Sequence, residues 1–268
     1  MENKYQNIVT QLNRKKEKAL IVFTVMGDPN YDTSLSIVKT ILNSGADILE
    51  LGFPFSDPIA DGPIIQSADA RALSNGINTD VCFRFIKEIR AFSSVPIGLL
   101  VYYNLVYQNG IEKFYKSAKD SGVDSILIAD MPIEEADVVI NYSKKYSISQ
   151  IFMISPLTTE KRIAMITKNS NGFLYLLSRL GVTGTREILE GDAISLIKRV
   201  KPFTRLPLFV GFGISKPEHV KTIMNVGADG AIVGSGVVKI IADNLQNTQL
   251  MLSKIEEYVR EMKSATQC

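Results

Sequence analysis

Eight short apolar segments recur along the chain, separated by longer amphipathic stretches. In each segment the side chains on both faces are mostly apolar, which is typical of strands in a parallel sheet covered by helices on both sides. The segments occupy residues 20–26, 46–52, 96–103, 125–131, 150–155, 172–178, 206–212 and 230–235. The pattern therefore predicts eight parallel strands.

The stretches between these segments have helical periodicity. In residues 32–45, for example, one stripe at helical spacing consists of Leu35, Ile37, Val38, Ile41 and Leu42. Several of the predicted helices stop at a glycine that leads into the next strand, as expected for a left-handed residue at a helix end. These glycines are Gly45, Gly122, Gly172 and Gly227.

Eight strand–helix units within 268 residues, with no linker-like stretch, predict one domain over residues 1–268. We expect the α/β class and a single (β/α)8 TIM barrel with an extra N-terminal helix. A doubly wound open sheet is the alternative, but no GxGxxG motif follows the first strand to support it. In a barrel the chemistry lies at the carboxyl ends of the strands.

Charge and composition exclude several functions. The chain has 30 Lys+Arg and 28 Asp+Glu, so no general attraction to nucleic acid or membranes is expected. No apolar run reaches the roughly 18 residues of a membrane helix. With one histidine and two cysteines, we expect neither a histidine-rich metal site nor a Ser/Cys–His triad. Few cysteines and a polar N-terminus without a signal-peptide core lead us to expect a cytoplasmic protein.

The segment that leaves the second predicted strand, residues 49–73, is the most unusual. It contains Glu50, Asp57 and Asp61 within twelve residues. Glu50 and its neighbouring leucines point to opposite faces of the strand, so either the acid or the leucines face the barrel interior. An inward Glu50 would be desolvated, which raises its pKa and suits it to proton transfer. The alternative is a solvated acid at a strand end.

The long loop that follows offers two more acids. Asp61 is either catalytic or a cap for the helix that begins near Pro63. Asp57 precedes a proline and is as readily explained as a turn former.

Glycine-rich loops follow the last three predicted strands and together predict a phosphate site. They are residues 178–187, 211–215 and 234–239. Glycines allow backbone N–H groups to approach an anion, and helix N-termini favour it. The loops after the last two strands of such barrels often bind phosphate.

A set of apolar and aromatic side chains is expected on the strands between the acids and these loops. These side chains either belong to the ordinary barrel core or form a wall of the substrate pocket. They are Leu100, Tyr102, Leu127, Tyr175, Phe212 and Ile232. The sequence places no lysine on a strand face and no metal cluster, so carbon–carbon cleavage here would use an electron sink within the substrate.

The segment after the second predicted strand carries a family resemblance. LELGFPFSDPIADGP at 49–63 resembles the signature of the tryptophan synthase alpha chain. Similar segments follow in the same order over nearly the whole chain: GDP at 27–29, IGLLVYYN at 97–104, VDSILIADMP at 123–132, LYLLSRLGVTG at 174–184, GFGIS at 211–215 and GAIVGS at 230–235.

The resemblance implies cleavage of indole-3-glycerol phosphate into indole and glyceraldehyde 3-phosphate on a (β/α)8 barrel. It also implies a beta chain that carries pyridoxal phosphate, in an αββα assembly through which indole passes between active sites. This chain itself is expected to hold no cofactor. By motif position, the resemblance makes Glu50 and Asp61 catalytic and Tyr175 a wall of the pocket.

Further site residues follow from the resemblance. Thr183 belongs to a closing loop, and phosphate binding falls on Gly184, Gly213, Gly234 and Ser235. The loop around Pro54, Phe55 and Asp57 is similar to the family's contact with the beta chain.

Two positions depart from the family pattern. Val25 stands where a threonine is usual, with Thr24 just before it, and Leu180 replaces a residue that is often smaller. Neither departure touches the acids or the phosphate glycines.

Three other functions stay open. They are a stand-alone indole-releasing lyase, a non-catalytic partner that only activates a beta chain, and a module that only binds a phosphorylated ligand. Another phosphate-binding barrel, such as an isomerase of the same pathway, lacks the segment around Glu50 and Asp61.

Overall fold

The strands form one parallel sheet in the computed structural model, which describes residues 3–177 and 190–267. Within this part of the chain they are β1 Ala19–Val25, β2 Ile48–Gly52, β3 Ile97–Val101, β4 Ser125–Ile128, β5 Ser149–Ile151, β6 Met153–Ile154, β7 Leu174–Leu177, β8 Leu208–Gly211 and β9 Gly230–Val233. Their order in the sheet is β5-β4-β3-β2-β1-β9-β8-β7-β6.

The two ends of this order are joined by a single residue. β5 pairs with β4 and β6 pairs with β7, and only Phe152 lies between β5 and β6. The sheet therefore closes on itself, and the predicted fifth strand, residues 150–155, is one barrel strand with an interruption. The TIM barrel is confirmed, and the open doubly wound sheet is wrong.

Most strands end earlier than the apolar runs indicated, and in β3 and β8 this moves a predicted site residue out of the strand. Tyr102 lies just past β3 as the residue that precedes the next helix. Phe212 lies just past β8 and has a positive φ of +66°, which a strand cannot accommodate. Both residues thus belong to the loops at the carboxyl end of the barrel, where an active site is expected.

Helices pack around the outside of the barrel. The described helices are α1 Lys4–Arg14, α2 Tyr31–Asn43, α3 Pro63–Ser74, α4 Thr79–Arg90, α5 Tyr103–Asn109, α6 Ile111–Ser121, α7 Asp137–Tyr146, α8 Glu160–Asn169, α9 Glu190–Val200, α10 Pro217–Asn225, α11 Ser235–Asp243 and α12 Thr248–Ser264. The predicted stripe of α2 is buried at Ile37, Val38 and Ile41. All four glycines predicted to end helices have a positive φ.

The predicted N-terminal helix, α1, closes the amino end of the barrel. Its Tyr5 is fully buried, and the hydroxyl lies 2.5 Å from the Ser125 hydroxyl at the start of β4. The Tyr5 ring packs on Phe173, with ring centres 4.9 Å apart. With this end filled by side chains, the carboxyl end is where a substrate can enter.

Among the described residues, no helix combines the length and the apolar character that crossing a membrane requires.

Candidate active site

Glu50 faces the interior of the barrel. It lies in register with Phe23 of β1 and Gly98 of β3, and only 4% of it is exposed. Its charge raises the pKa of Tyr175 on β7, across the barrel, so the carboxyl points inward rather than into solvent. The alternative of a solvated acid at a strand end is wrong.

The surroundings of Glu50 favour its protonated form. Burial, followed by the neighbouring charge of Asp61, raises the pKa of Glu50 to about 8. Its Oε2 atom has no hydrogen-bond partner among the described residues. At neutral pH this side chain is therefore mainly a carboxylic acid that holds its proton inside the barrel.

Asp61 is a second buried carboxyl, in the loop between β2 and α3, and 7% of it is exposed. The Tyr102 hydroxyl donates a hydrogen bond of 2.6 Å to Asp61 Oδ2. That hydroxyl itself accepts from the Ala60 N–H at 3.1 Å, which directs its own proton toward Asp61. Burial raises the pKa of Asp61, whereas the bond from Tyr102 lowers it. The capping alternative is wrong, because the residue that caps α3 is Gly62.

The neighbours of the two carboxyls favour different protonation states. A hydrogen-bond donor stabilises charge on Asp61, while burial and an oxygen without a donor keep the proton on Glu50. A pair of carboxyls separated in this way can act as one acid and one charge-stabilising base.

Three of the predicted wall residues lie on the same inner face of the barrel as Glu50. Register and strand alternation place three buried apolar side chains there: Leu100, Leu127 and Ile232. Tyr175 is buried on β7, and its ring meets Phe212 edge to face at 5.9 Å. Tyr102 does more than line the cavity, since its hydroxyl holds Asp61.

Phe23 is a wall residue that sequence reasoning missed. A Cβ built on Gly52 or on Gly234 would lie 2.9 Å from its ring. The ring therefore fills the space beside both glycines at the mouth of the barrel. The strand pattern places Phe23 on the same face of β1 as Val25. From the sequence alone, such a side chain could not be distinguished from ordinary barrel core.

The predicted phosphate residues lie beyond β8 and β9. Gly213 follows Phe212 and has a φ of +91°, and α11 begins at Ser235 with Gly234 as its N-cap. Gly234 has no side chain to cap the first-turn N–H groups of α11, so these can bind an anion. Position 234 also favours glycine because a Cβ there would overlap the Phe23 ring.

Thr183 and Gly184 lie outside the described residues.

The loop that follows β2 presents part of its surface to solvent. Of the residues predicted to contact a beta chain, Pro54 is buried, Phe55 is half-buried and Asp57 is exposed. Ile59, in the same loop, is 76% exposed. The Phe55 ring stacks on Tyr102, with ring centres 5.1 Å apart. The same loop thus supports the acid pair on one side and offers a surface on the other.

A third buried acid, Asp69 on α3, was also missed. It lies close enough to Asp61 that the charge of Asp61 raises its pKa. Residues 63–74 read as a plain helix, and nothing in their spacing shows that Asp69 turns back toward the loop.

Comparison with known proteins decides the family. The family model of the tryptophan synthase alpha chain matches residues 9–267. The chain belongs to this family. The resemblance carried by residues 49–63 is thereby confirmed, and with it the interpretation of the eight strand–helix units.

Relatives agree over nearly the whole chain. A tryptophan synthase alpha chain from Methanothermobacter thermautotrophicus is 50% identical over 247 residues, which are 92% of each chain. The solved tryptophan synthase subunit alpha of Legionella pneumophila has a TM-score of 0.90 at 31% identity, covering 99% of both chains. A chain of a tryptophan synthase complex from Pyrococcus furiosus has a TM-score of 0.83 at 36% identity, covering 92% of this chain and 98% of that one.

Proposed function

We propose that this chain is the alpha subunit of tryptophan synthase, a carbon–carbon lyase that cleaves indole-3-glycerol phosphate to indole and glyceraldehyde 3-phosphate. The observation that carries this proposal is the acid pair. Glu50 is buried with an unpartnered oxygen and a pKa of about 8, and Asp61 accepts a hydrogen bond from Tyr102. Family membership supports the same reaction.

The first chemical step falls to Glu50. Its carboxyl proton is transferred to C3 of the indole ring, which leaves a carboxylate on Glu50 and an indolenine cation in the cavity. Asp61 accepts a hydrogen bond from N1–H and stabilises the positive charge that develops there. A charge-assisted bond of this kind contributes about 1.5–3 kcal/mol, or roughly one to two decades in rate.

The second step breaks the bond between C3 and the side chain. The Glu50 carboxylate takes the proton of the adjacent side-chain hydroxyl, and the carbon–oxygen double bond of the aldehyde forms. The electrons of the broken bond return to the ring, which regenerates neutral indole. Glu50 ends the cycle protonated, so atoms and charge balance without a metal or a Schiff base.

The two ends of the pocket match the two ends of this substrate. The buried wall of Leu100, Leu127 and Ile232 suits the indole ring and keeps water away from the acids. At the other end, Gly213, Gly234 and Ser235, which follow β8 and β9, are the proposed phosphate-binding residues.

A beta chain is the proposed partner, in an αββα assembly, and the pyridoxal phosphate belongs to that chain. The Pyrococcus furiosus relative was solved as a tryptophan synthase complex, which supports a partner here. The exposed part of the loop after β2, at Asp57 and Ile59, borders the acid pair and suits a contact through which indole passes. Buried Pro54 shapes this loop rather than offering surface.

The experiment measures indole released from indole-3-glycerol phosphate by wild type and by Glu50→Gln, each alone and with a beta chain. We expect Glu50→Gln to abolish turnover while the substrate still binds, because the amide cannot give up a proton. The exposed Glu135→Gln is the matched control and keeps wild-type activity.

Each alternative has its own outcome. Equal turnover by Glu50→Gln contradicts the role of the acid. Fast turnover that a beta chain does not accelerate indicates a stand-alone lyase. Binding without turnover by the wild type indicates a binding module, and activation of a beta chain without indole release indicates a non-catalytic partner.

A further inference from the structure

The segment of residues 27–29, just after β1, takes no part in the proposed chemistry, yet its acid is held in the interior. Asp28 is fully buried, and the Arg71 guanidinium on α3 donates bonds of 2.7 and 2.9 Å to its two carboxyl oxygens. Burial raises the pKa of Asp28, whereas Arg71 lowers it. Such a pair fixes geometry more than it adds stability, because desolvation offsets much of the attraction.

The other two residues of this segment also contact the end of α3. Asn75, which follows α3, donates from Nδ2 to the Pro29 carbonyl at 2.8 Å. Gly27 has a φ of +80°, and a Cβ at this position would lie 2.3 Å from the Ile77 side chain. All three residues are therefore held by the C-terminal half of α3 and the residues just after it.

The opposite end of α3 carries Asp61. The helix begins at Pro63, two residues further along the chain. The Gln66 side chain donates from Nε2 to the Asp61 carbonyl at 2.8 Å, and the Gln66 N–H donates to the Gly62 carbonyl at 3.0 Å. The backbone of Asp61 is thus fixed to the first turn of α3, while its carboxyl accepts from Tyr102 at 2.6 Å.

α3 therefore connects the loop after β1 to one of the two acids. β1 lies beside β2 with Phe23 in register with Glu50, so this loop has a fixed relation to the other acid. Because the 12 residues of α3 form one continuous helix, a shift of its C-terminal half also shifts Asp61.

We propose that Arg71 and Gln66 are positioning residues for the acid pair. Arg71 fixes α3 on the loop after β1 through its pair with Asp28. Gln66 fixes Asp61 on the first turn of α3, so the two contacts together set where Asp61 lies relative to Glu50. The inference rests on the proposed cleavage reaction. Loss of either contact should slow the chemical step.

The contact of Gln66 is tested by Gln66→Met, which removes the donor to the Asp61 carbonyl and keeps the length of the side chain. With indole-3-glycerol phosphate at pH 7, we expect kcat to fall about fivefold. KM should stay within about twofold of wild type, because the proposed phosphate residues lie on other elements. Gln6→Met, at an exposed position of α1, is the matched control.

The ion pair needs a double variant, because Arg71→Met alone would leave the buried Asp28 without its partner. Asp28→Leu with Arg71→Met removes both charges. We expect its kcat, measured where circular dichroism shows full folding, to fall about tenfold. Arg71→Lys keeps the charge but not the two-point contact and should give an intermediate kcat. Arg14→Met, at an exposed position of α1, is the matched control.

The Ala60 N–H gives a readout that does not depend on activity. It donates to the Tyr102 hydroxyl at 3.1 Å, so its exchange with solvent deuterium reports whether the loop that carries Asp61 keeps its place. Exchange should be faster in Gln66→Met and in the double variant than in wild type, and unchanged in the two controls. If the double variant does not fold, Arg71→Lys takes its place in both measurements.

The possible results separate the two proposals. A wild type that does not cleave the substrate refutes the proposed function, and exchange at Ala60 then decides the positioning role alone. The positioning role is overturned if Gln66→Met or the ion-pair variant, once shown to be folded, keeps either wild-type kcat or wild-type exchange at Ala60. A lower unfolding temperature with both values unchanged would show that these contacts only stabilise the fold.

Discussion

At the scale of single residues, Tyr102 distinguishes the two neighbouring carboxyls, because it donates a hydrogen bond to one of them and so favours its charged form. Its hydroxyl is oriented by the Ala60 N–H and donates to Asp61, whereas Glu50 Oε2 has no such donor among the described residues. The burial of the two acids in the barrel was one of the alternatives that the sequence offered, and their proposed roles come from the family resemblance. The part played by Tyr102 was not predictable from the sequence, because it depends on a contact between residues 41 positions apart.

Replacing Tyr102 with phenylalanine tests this arrangement. The ring and its stacking on Phe55 are kept, but the donor to Asp61 is lost. Since that donor lowers the pKa of Asp61, its removal raises this pKa, and the acidic limb of the activity profile should move to higher pH. We also expect kcat to fall about tenfold at neutral pH. The measurement is kcat against pH for Tyr102→Phe, with the neighbouring Tyr103→Phe as control. An acidic limb that stays in place would contradict the role of the hydroxyl.

At the scale of elements, the barrel was predictable and its fine structure was not. Strands apolar on both faces and glycines at helix ends indicated eight strand–helix units. The interruption at Phe152 was invisible, since residues 150–155 read as one apolar run and only pairing with β4 and β7 divides it. The same limit applies at the phosphate end. Gly234 looked like an anion-binding glycine, but its place beside the Phe23 ring depends on how β1 packs against the start of α11.

The contact between β1 and α11 gives an element-scale prediction. In Gly234→Ala the new Cβ would lie 2.9 Å from the Phe23 ring, so the ring or the start of α11 must shift. We expect a loss of about 1–3 kcal/mol in stability, as for other overpacked sites. KM for the phosphorylated substrate should rise, because the first-turn N–H groups of α11 move.

The double variant Phe23→Leu, Gly234→Ala is the internal control. The smaller side chain relieves part of the overlap, so it should recover part of the lost stability and lower KM again. A simple sum of the two single effects on stability and KM would show that the glycine is required for another reason.

At the scale of the whole molecule, the proposed active site reduces the stability of the fold. Glu50 and Asp69 both have a pKa of about 8 in the folded chain, well above the ordinary values of 4.5 and 3.8. Between the ordinary value and 8, the folded chain keeps protons that the unfolded chain releases. The free energy of unfolding therefore falls as pH rises through this range, and these two groups add no further change above it.

Glu50→Gln removes one of these groups and should stabilise the chain while it abolishes turnover. At pH 4 the glutamate is protonated in both folded and unfolded chains, so the variant and the wild type should unfold at similar temperatures. As pH rises to 8 the variant should gain on the wild type by on the order of 4 kcal/mol, because only the wild type must keep a proton in the folded chain that its unfolded chain releases. Thermal unfolding of both proteins at several pH values between 4 and 8 measures this gap. Glu135→Gln, which changes an exposed acid, should show no growing gap. A gap that is constant with pH would mean that the substitution acts through packing, and that Glu50 is not held in its protonated form by burial.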